Sequence, residues 1–168
     1  MASHPHIIID AYNLIHRAKD LRDILQENLE HSREALLLRL ETYRQKKKVQ
    51  ITVVFDGDSV GVHPAQNRSG LHVVFSRFPQ KADPIIKNMV RRSKNRRSIL
   101  VVSSDRSVAD YARSMGAKSM AAEEFYQRFL IFERVNPLSE KYDRNLSEAE
   151  VKNWMDIFNR RDVPRKDK

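Results

Sequence analysis

Short apolar runs alternate along the chain with stretches whose apolar residues recur every three to four positions. The first run, Ile7-Ile8-Ile9, has no polar residue within it, which is typical of a strand buried on both faces of a parallel sheet. Runs of this kind predict strands at 6–10, 51–56, 71–76 and 99–103, and a short fifth strand at 117–120.

Helical periodicity fills the intervals between the runs. It predicts a helix over about 32–47, a further apolar-periodic stretch at 14–27, and helices near 107–115 and 122–132. Asp83 is expected to cap another helix, with Pro84 as its first residue, whereas the composition of 57–70 indicates a loop. Buried strands that alternate with helices predict a three-layer, doubly wound α/β fold around a mostly parallel sheet of about five strands.

The pattern changes after residue 135, so we expect a domain at 1–135 and a C-terminal extension at 136–168. Ser147-Glu148-Ala149-Glu150 is a capping-box pattern, and an apolar stripe with helical spacing follows it, including Trp154 and Phe158. One amphipathic helix is therefore predicted at about 147–159, with a basic tail behind it. We favour a helix that docks on the domain over an exposed anchor for a partner.

Charge and composition narrow the class of partner. Among 168 residues, 31 are Lys or Arg and 22 are Asp or Glu, a formal net charge of +9 that favours a polyanion, nucleic acid first and an anionic membrane second. The absence of cysteine excludes disulfides, thiolate zinc sites and cysteine nucleophiles. The apolar runs are too short to span a bilayer, and no signal-peptide pattern opens the chain, so a cytoplasmic protein is expected.

Four acidic residues stand where the predicted strands end or the next helix begins. Asp10 and Asp56 end the first and second strands, Asp105 follows the fourth, and Asp83 opens the helix after the third. In a parallel sheet all the carboxyl ends share one edge, where open α/β sheets place their sites. Carboxylates crowded at one edge repel each other, and a divalent cation such as Mg²⁺ or Mn²⁺, which prefers oxygen ligands, relieves that repulsion.

Each acid also has an ordinary structural interpretation. Asp83 and Asp105 could be helix caps, and Asp10 and Asp56 could be loop residues after strands. These interpretations would have to hold independently, whereas one metal site accounts for all four positions. We therefore expect a catalytic site in which one or two ions activate water and neutralise the charge of a phosphodiester.

Four motifs, in this order along the chain, resemble those of the NYN branch of the PIN-like nucleases, and in particular its bacterial YacP-type group, which contains ribosome-associated endoribonucleases. Arg33-Glu34, which leads into the leucine-rich helix, resembles that group as well. The resemblance covers roughly 6–131 and implies a PIN-like fold and a Mg²⁺- or Mn²⁺-dependent ribonuclease. The motifs are Ile9-Asp10-Ala11-Tyr12-Asn13-Leu14-Ile15, Val54-Phe55-Asp56-Gly57, Ala82-Asp83-Pro84-Ile85-Ile86 and Ser103-Ser104-Asp105.

The resemblance also implies roles for individual residues. The acidic residues of the family correspond to Asp10, Asp56, Asp83 and Asp105. Asn13 and Ser104 would orient the carboxylates or bound water, although they could equally be a turn residue and a helix cap.

The sequence departs from the pattern of the family at one position, and further acids lie near the motifs. Pro84 stands where the family often has another acid, so one ligand is missing from its pattern. Asp58 could compensate, but we expect it to be solvated. Glu123 and Glu124 are expected to interact with the helix dipole rather than with a metal.

The predicted topology separates the basic residues into two groups. The clusters at 46–48 and 91–97 precede strands and therefore belong at the amino edge, away from the acids, where they could stabilise helix ends or dock on a large RNA or a ribosome. A second group falls near the acidic edge and is expected to contact RNA phosphates. Its members are Arg17, Lys19, Arg22, Arg77, Lys81 and Arg106.

Aromatic and histidine side chains near the acidic edge have two interpretations each. Tyr12 or Phe78 could stack on a base, although Tyr12 fits a core position equally well. His16 and His63 could donate protons or contact RNA, but a single histidine is more often structural, and we assign neither a catalytic role.

Three functions compete on this evidence. The leading hypothesis is a metal-dependent endoribonuclease that leaves a 5′ phosphate and a 3′ hydroxyl, with single-stranded RNA or mRNA as its substrate and the ribosome as a candidate partner. The alternative is a non-catalytic RNA- or ribosome-binding module of the same fold. A phosphatase or a small nucleotide-binding protein is third, and the nucleotide-binding version is weakened because no glycine-rich phosphate loop follows the first strand.

Overall fold

The three isoleucines lie in the centre of a sheet that is covered on both faces. The structure, a computed structural model, describes residues 4–57 and 65–131. Strand β1 spans His6–Asp10, and Ile7, Ile8 and Ile9 each have 0% of their surface exposed. Since consecutive side chains of a strand point to opposite faces, both faces of β1 must be covered by other elements.

Five further strands in the described ranges complete the sheet, in the order β3-β4-β2-β1-β5-β6. Every neighbouring pair is parallel except β3 with β4, and β1 lies between β2 and β5. This arrangement confirms the predicted doubly wound, mostly parallel α/β fold. The strands are β2 Gln50–Phe55, β3 Gln66–Arg68, β4 Leu71–Phe75, β5 Ile99–Val102 and β6 Lys118–Met120.

Helices on the two faces bury the sheet. Helices α4 and α5 pack on one face, where Ile8 and Val101 meet Ile86 and Val108 in one core cluster. On the other face α1 and α3 contact the sheet, and an extension of α6 packs against α3. The helices are α1 Ala11–Arg17, α2 Lys19–Glu27, α3 Leu29–Lys47, α4 Ala82–Arg92, α5 Arg106–Ser114 and α6 Ala122–Phe125, with a 3₁₀ turn at Arg96–Ser98 and a π-helical turn at Tyr126–Leu130.

The predicted loop at 57–70 is partly wrong, because its end forms strand β3. Gln66, Asn67 and Arg68 have no apolar side chain, so nothing in the local pattern indicates a strand. Arg68 attaches this edge strand to α3 through two ion pairs of 2.6 Å each, to Glu34 and Glu41. Tertiary contacts therefore stabilise a strand that local sequence does not favour.

The predicted cap of α4 is also wrong. The helix begins at Ala82, so Asp83 is its second residue and Pro84 its third. Oδ1 of Asp56 accepts a hydrogen bond of 2.5 Å from the Ala82 main-chain nitrogen, and thereby satisfies a donor that a local cap would otherwise satisfy. A residue 26 positions away performs the capping role that the local pattern assigns to Asp83.

Some predictions concern residues outside the described ranges. These are the amphipathic helix at 147–159, Asp58 and His63. In 4–57 and 65–131, none of the helices combines the length and the apolar character needed to cross a bilayer.

Candidate functional site

Three of the four acids lie side by side at the carboxyl edge of the sheet. Asp10 is the last residue of β1, Asp56 follows β2 directly, and Asp105 stands three positions beyond β5. Because β2 and β5 are the two neighbours of β1, and adjacent strands are about 4.8 Å apart, Asp10 has one of the other two acids on each side. The chain crosses from one half of the sheet to the other at this point, where open α/β sheets bind their ligands.

Ser103 connects two of these acids. Its hydroxyl donates to Oδ2 of Asp10 at 3.1 Å and accepts from the main-chain nitrogen of Asp105, also at 3.1 Å. Only 2% of the Ser103 surface is exposed, so this hydroxyl is a fixed part of the site. Sequence reasoning assigned a role to Ser104 and missed Ser103, although a buried serine at the end of an apolar strand is a usable signal.

The carboxyl group of Asp10 is electrostatically strained. Burial, together with the negative charges of Asp56 and Asp105, raises the pKa of Asp10 to about 6. The hydrogen bond from Ser103 and the main-chain N–H of Asn13 lower this pKa and only partly offset the increase. Asp10 therefore lies against two like charges, and a positive charge placed beside it would stabilise its ionised state.

Gly57 allows the chain to leave β2 close to the end of β4. A Cβ atom at this position would lie 1.9 Å from the main-chain oxygen of Ser76, so no other residue fits without a backbone shift. The Gly57 nitrogen donates to the Ser76 hydroxyl at 2.8 Å. This contact and the capping of α4 by Asp56 together fix where that carboxylate lies.

Asp83 has a different environment from the other three acids. It lies in the first turn of α4 at the same edge, but its charge is not among those that act on the pKa of Asp10. The ammonium of Lys87 lies 3.1 Å from its Oδ1 and also donates to the Ser107 hydroxyl at 2.6 Å. Oδ1 of Asp83 is buried and accepts no hydrogen bond of good geometry, so this ion pair is its main compensation.

Asn13 and Ser104 hold the edge together without a side-chain contact to Asp10. Oδ1 of Asn13 accepts from the Ser104 nitrogen at 2.7 Å, which ties α1 to the end of β5. The Ser104 hydroxyl accepts from the Ala122 nitrogen at 2.9 Å and donates to Glu123. That hydrogen bond, the main-chain N–H of Glu123 itself and the charge of Arg17 lower the pKa of the Glu123 carboxyl against the effect of burial, so a fifth acid is fixed and ionised at this edge.

The donor atoms at this edge fit a hard divalent cation. Asp10, Asp56 and Asp105 supply carboxylate oxygens whose repulsion a cation would relieve, and Oδ1 of Asp83 is a buried acceptor with an unused hydrogen-bonding capacity. Among the described residues, no group of three or more Asp, Glu or His side chains is already gathered closely enough to hold a metal ion. The assignment of these acids as metal ligands stays a prediction.

The six basic residues predicted to contact RNA are exposed. Arg77 and Lys81 lie in the connection from β4 to α4, and Arg106 is the first residue of α5. Arg17 ends α1 and acts electrostatically on Glu123. Lys19 and Arg22 begin α2, where Arg22 donates to the main-chain oxygen of His16 at 3.4 Å. Their role in RNA binding also stays a prediction.

Two cavities border the described part of the sheet. One of about 340 Å³ is lined by residues that include Asp56, Gly57 and Tyr12, and is therefore continuous with the acidic edge. The other, about 790 Å³, runs along α4 between His6 and Arg92 and includes none of the candidate acids. The smaller cavity is the better candidate for binding a substrate, because Asp56 lines it and also belongs to the acidic site.

Comparisons with known proteins agree with this fold. The curated "Uncharacterized protein YacP" of Bacillus subtilis (strain 168) is 25% identical over 130 residues, which are 76% of this chain and 76% of that protein. Two crystal structures of Rae1 (YacP) from Bacillus subtilis, one of them a point mutant, match with TM-scores of 0.62 and 0.61. Their sequence identities are 22% and 26%, and the matches cover 77% and 76% of this chain and 77% and 75% of theirs.

A family match extends further along the chain than these pairwise comparisons. The YacP-like NYN domain matches residues 7–161 and so includes all four acidic motifs and most of the C-terminal extension. Homology to this domain points to a nuclease-type, RNA-related function. The chain therefore belongs to the YacP-like NYN domain family.

Proposed function

We propose that this protein is a metal-dependent endoribonuclease that hydrolyses RNA phosphodiester bonds at the carboxyl edge of its sheet. The observation that carries the proposal is the electrostatic group formed by Asp10, Asp56 and Asp105 at the ends of β1, β2 and β5. A buried carboxyl group that repels two neighbouring carboxylates is unfavourable for the fold, and such groups are concentrated at functional sites. Family membership supports hydrolysis of RNA as the reaction.

Each side chain has a definite part in this proposal. Asp10, Asp56 and Asp105 would hold Mg²⁺ or Mn²⁺, with Asp83, now paired with Lys87, as the candidate for a fourth ligand. Bound there, the ion would lower the pKa of a water molecule and neutralise charge on the phosphate. Ser103 holds the Asp10 carboxylate in one orientation and keeps Asp105 beside it. The exposed guanidinium of Arg106, next to Asp105, binds a phosphate of the RNA.

We propose further that the RNA is mRNA on the ribosome. Exposed cations at the amino edge, among them Arg92, Lys94 and Arg97, support this part of the proposal. Helix α4 separates this edge from Asp83 by roughly 14 Å, since Arg92 lies nine positions after Asp83 at 1.5 Å per residue. Cations so far from the scissile phosphate suit the docking of a large polyanion better than catalysis. Arg96 is an exception, because it donates to main-chain oxygens of Val90 and Arg91 at the end of α4.

Cleavage of labelled RNA in Mg²⁺ or Mn²⁺ by the wild type, Asp10→Asn and Asp105→Asn tests the proposal. Each substitution should reduce the rate about 100-fold or more, because charge stabilisation by a metal is worth several kcal/mol and about 1.4 kcal/mol is tenfold in rate. Asp110→Asn is the matched control, since this exposed acid on α5 pairs with Arg113 outside the site. Equal cleavage by all four proteins would contradict the proposed role of the carboxylates.

Ribosomes should be present in a parallel assay, because the substrate proposed is ribosome-bound. Failure of the wild type to cleave RNA in either assay, combined with tight RNA or ribosome binding, would favour the alternative of a non-catalytic binding module. That alternative has one observation in its favour, the ion pair that already occupies Asp83.

A further inference from the structure

The cavity beside Asp56 has one wall from α1 and another from the junction of α2 and α3. Tyr12 and His16 lie four residues apart on α1 and therefore share one face of that helix. Leu25 near the end of α2 and Leu29 at the start of α3 line the other wall, on either side of the extended residue Asn28. The walls therefore present an aromatic and imidazole surface on one side and an aliphatic surface on the other.

Arg33 forms the floor of this cavity and continues the spacing from Leu29. Its side chain is only 5% exposed, and its Nε donates to the Tyr12 hydroxyl at 2.6 Å. The guanidinium carbon lies 5.5 to 5.8 Å from the ring centroids of Tyr12, Phe55 and Phe75. The guanidinium, which also pairs with Glu30 at 3.1 Å, is stacked among the rings and holds the Tyr12 ring in place.

The size and position of the cavity indicate which kind of ligand it can bind. Its volume of about 340 Å³ lies at the lower end of the range for small-molecule pockets. Asp56 and Gly57 form its inner end, so a chain whose phosphate lies at the carboxylates continues directly into it. A flat, uncharged group can pack between the aliphatic wall and the aromatic wall, and its hydrogen-bonding atoms can reach the guanidinium of Arg33. An RNA base, attached to a phosphate backbone, is such a group.

We infer that this cavity binds one unpaired base of the RNA, next to the phosphodiester that is cleaved. The inference rests on the proposed function and adds to it the recognition of one base that is turned out of its stack. The base lies between His16 and Tyr12 on one side and Leu25 and Leu29 on the other. Proteins that recognise single-stranded RNA commonly stack unpaired bases on aromatic side chains in this manner.

An RNA that lacks a single base tests the inference. A series of fluorescein-labelled single-stranded RNAs, each with an abasic ribose at one position, is compared with the intact RNA by fluorescence anisotropy in Ca²⁺. The wild type should bind the intact RNA about tenfold more tightly than the RNA abasic at one particular position, as expected for one stacked base. Leu29→Ala and His16→Ala should remove most of this discrimination.

The chain offers matched controls for both substitutions. Leu38 lies on the same helix as Leu29, with 46% exposure against 39%, and does not line the cavity. His31 is likewise exposed on α3 outside the cavity. Leu38→Ala and His31→Ala should keep the full discrimination, and equal melting temperatures within each pair show that the comparison reports binding.

The outcomes separate this inference from the proposed function. If the wild type cleaves RNA but binds every abasic RNA as tightly as the intact one, the base-binding cavity is contradicted and the proposed nuclease activity is supported. A wild type that discriminates at one position through Leu29 and His16, yet never cleaves, supports the pocket and contradicts the nuclease. Equal discrimination by Leu29→Ala and Leu38→Ala would place the recognised base elsewhere and overturn the inference.

Discussion

Two partly buried aspartates, Asp10 and Asp20, lie in opposite electrostatic environments. Asp20 on α2 accepts from Nη2 of Arg39 at 2.6 Å and from the hydroxyl of Tyr126. Asp10 accepts from Ser103 and is close to Asp56 and Asp105, and the described groups that act on its pKa include no cation. The protein therefore pairs the Asp20 carboxylate with a cation, whereas the Asp10 carboxylate lies next to two other carboxylates.

This difference in charge compensation indicates that Asp20 has a structural role, whereas Asp10 is a candidate ligand for a cation. Arg39 also donates to the Tyr126 hydroxyl at 2.7 Å, so the group around Asp20 joins α2, α3 and the turn after α6. Such a network fixes how these helices pack against one another. At Asp10 the described groups that act on the carboxyl include no cation, and this difference is the reason for proposing a metal ion there.

Removal of the cation beside Asp20 should have the largest effect on stability. Arg39→Met leaves a buried carboxylate unpaired, and we expect it to reduce the free energy of unfolding by roughly 3 to 5 kcal/mol. Urea denaturation at neutral pH measures this change. In the double variant with Asp20→Asn the loss should be clearly smaller than the sum of the two single losses, because the unpaired charge is gone. Additive losses would show that the pair is not coupled.

Asp10→Asn should change stability in the opposite direction, and the change should depend on pH. The pKa of Asp10 is about 6 in the fold, above its usual value of 3.8. The unfolded chain therefore loses this proton first, and the ionised group destabilises the fold increasingly as the pH rises from about 4 to about 6. In EDTA at pH 7.5 the variant should be more stable than the wild type by up to about 3 kcal/mol.

This gain should fade at pH 4, where the Asp10 carboxyl is mostly protonated in the fold and partly protonated in the unfolded chain. Urea denaturation of wild type and variant at both pH values measures it, and Asp110→Asn serves as the exposed control that should show little change. A variant that is less stable than the wild type at pH 7.5 would contradict the electrostatic strain assigned to Asp10.

The comparison also indicates what could be predicted from the sequence. The burial of Ile7, Ile8 and Ile9 and the shared edge of Asp10, Asp56 and Asp105 follow from apolar runs and parallel topology, and both are local or topological signals. The capping of α4 depends instead on a contact between residues 56 and 82. Long-range contacts of that kind leave no periodic pattern in the sequence.

The same reason explains why strand β3 was not predicted. Strand β3 depends on the attachment of Arg68 to Glu34 and Glu41, which lie on a helix far away in the sequence. The pairing of Asp83 with Lys87 is a local i,i+4 contact and could have been predicted from the spacing.

Substitution of Lys87 should have the smallest effect on stability. It also tests the comparison between compensated and uncompensated carboxylates most directly, because in the described ranges Lys87 is the basic residue that pairs with a candidate acid of the site. Both partners are about one-third exposed, so loss of the pair should change stability by less than about 1 kcal/mol. Lys87→Met leaves the Asp83 carboxylate free to bind a cation. The affinity for Mn²⁺ should therefore increase several-fold.

Titration of Mn²⁺ followed by the rise in melting temperature measures this affinity, since an ion that binds only the folded state stabilises it. Arg113→Met is the matched control, because it breaks the Arg113–Asp110 ion pair on α5 and should leave Mn²⁺ affinity unchanged. Weaker Mn²⁺ binding in Lys87→Met would mean that the ammonium positions Asp83 as a ligand rather than competing for it. In that case the metal site would consist of all four acids, with Asp83 held in place by Lys87. Unchanged Mn²⁺ affinity would instead place Asp83 with Asp20 among the carboxylates that the protein compensates itself.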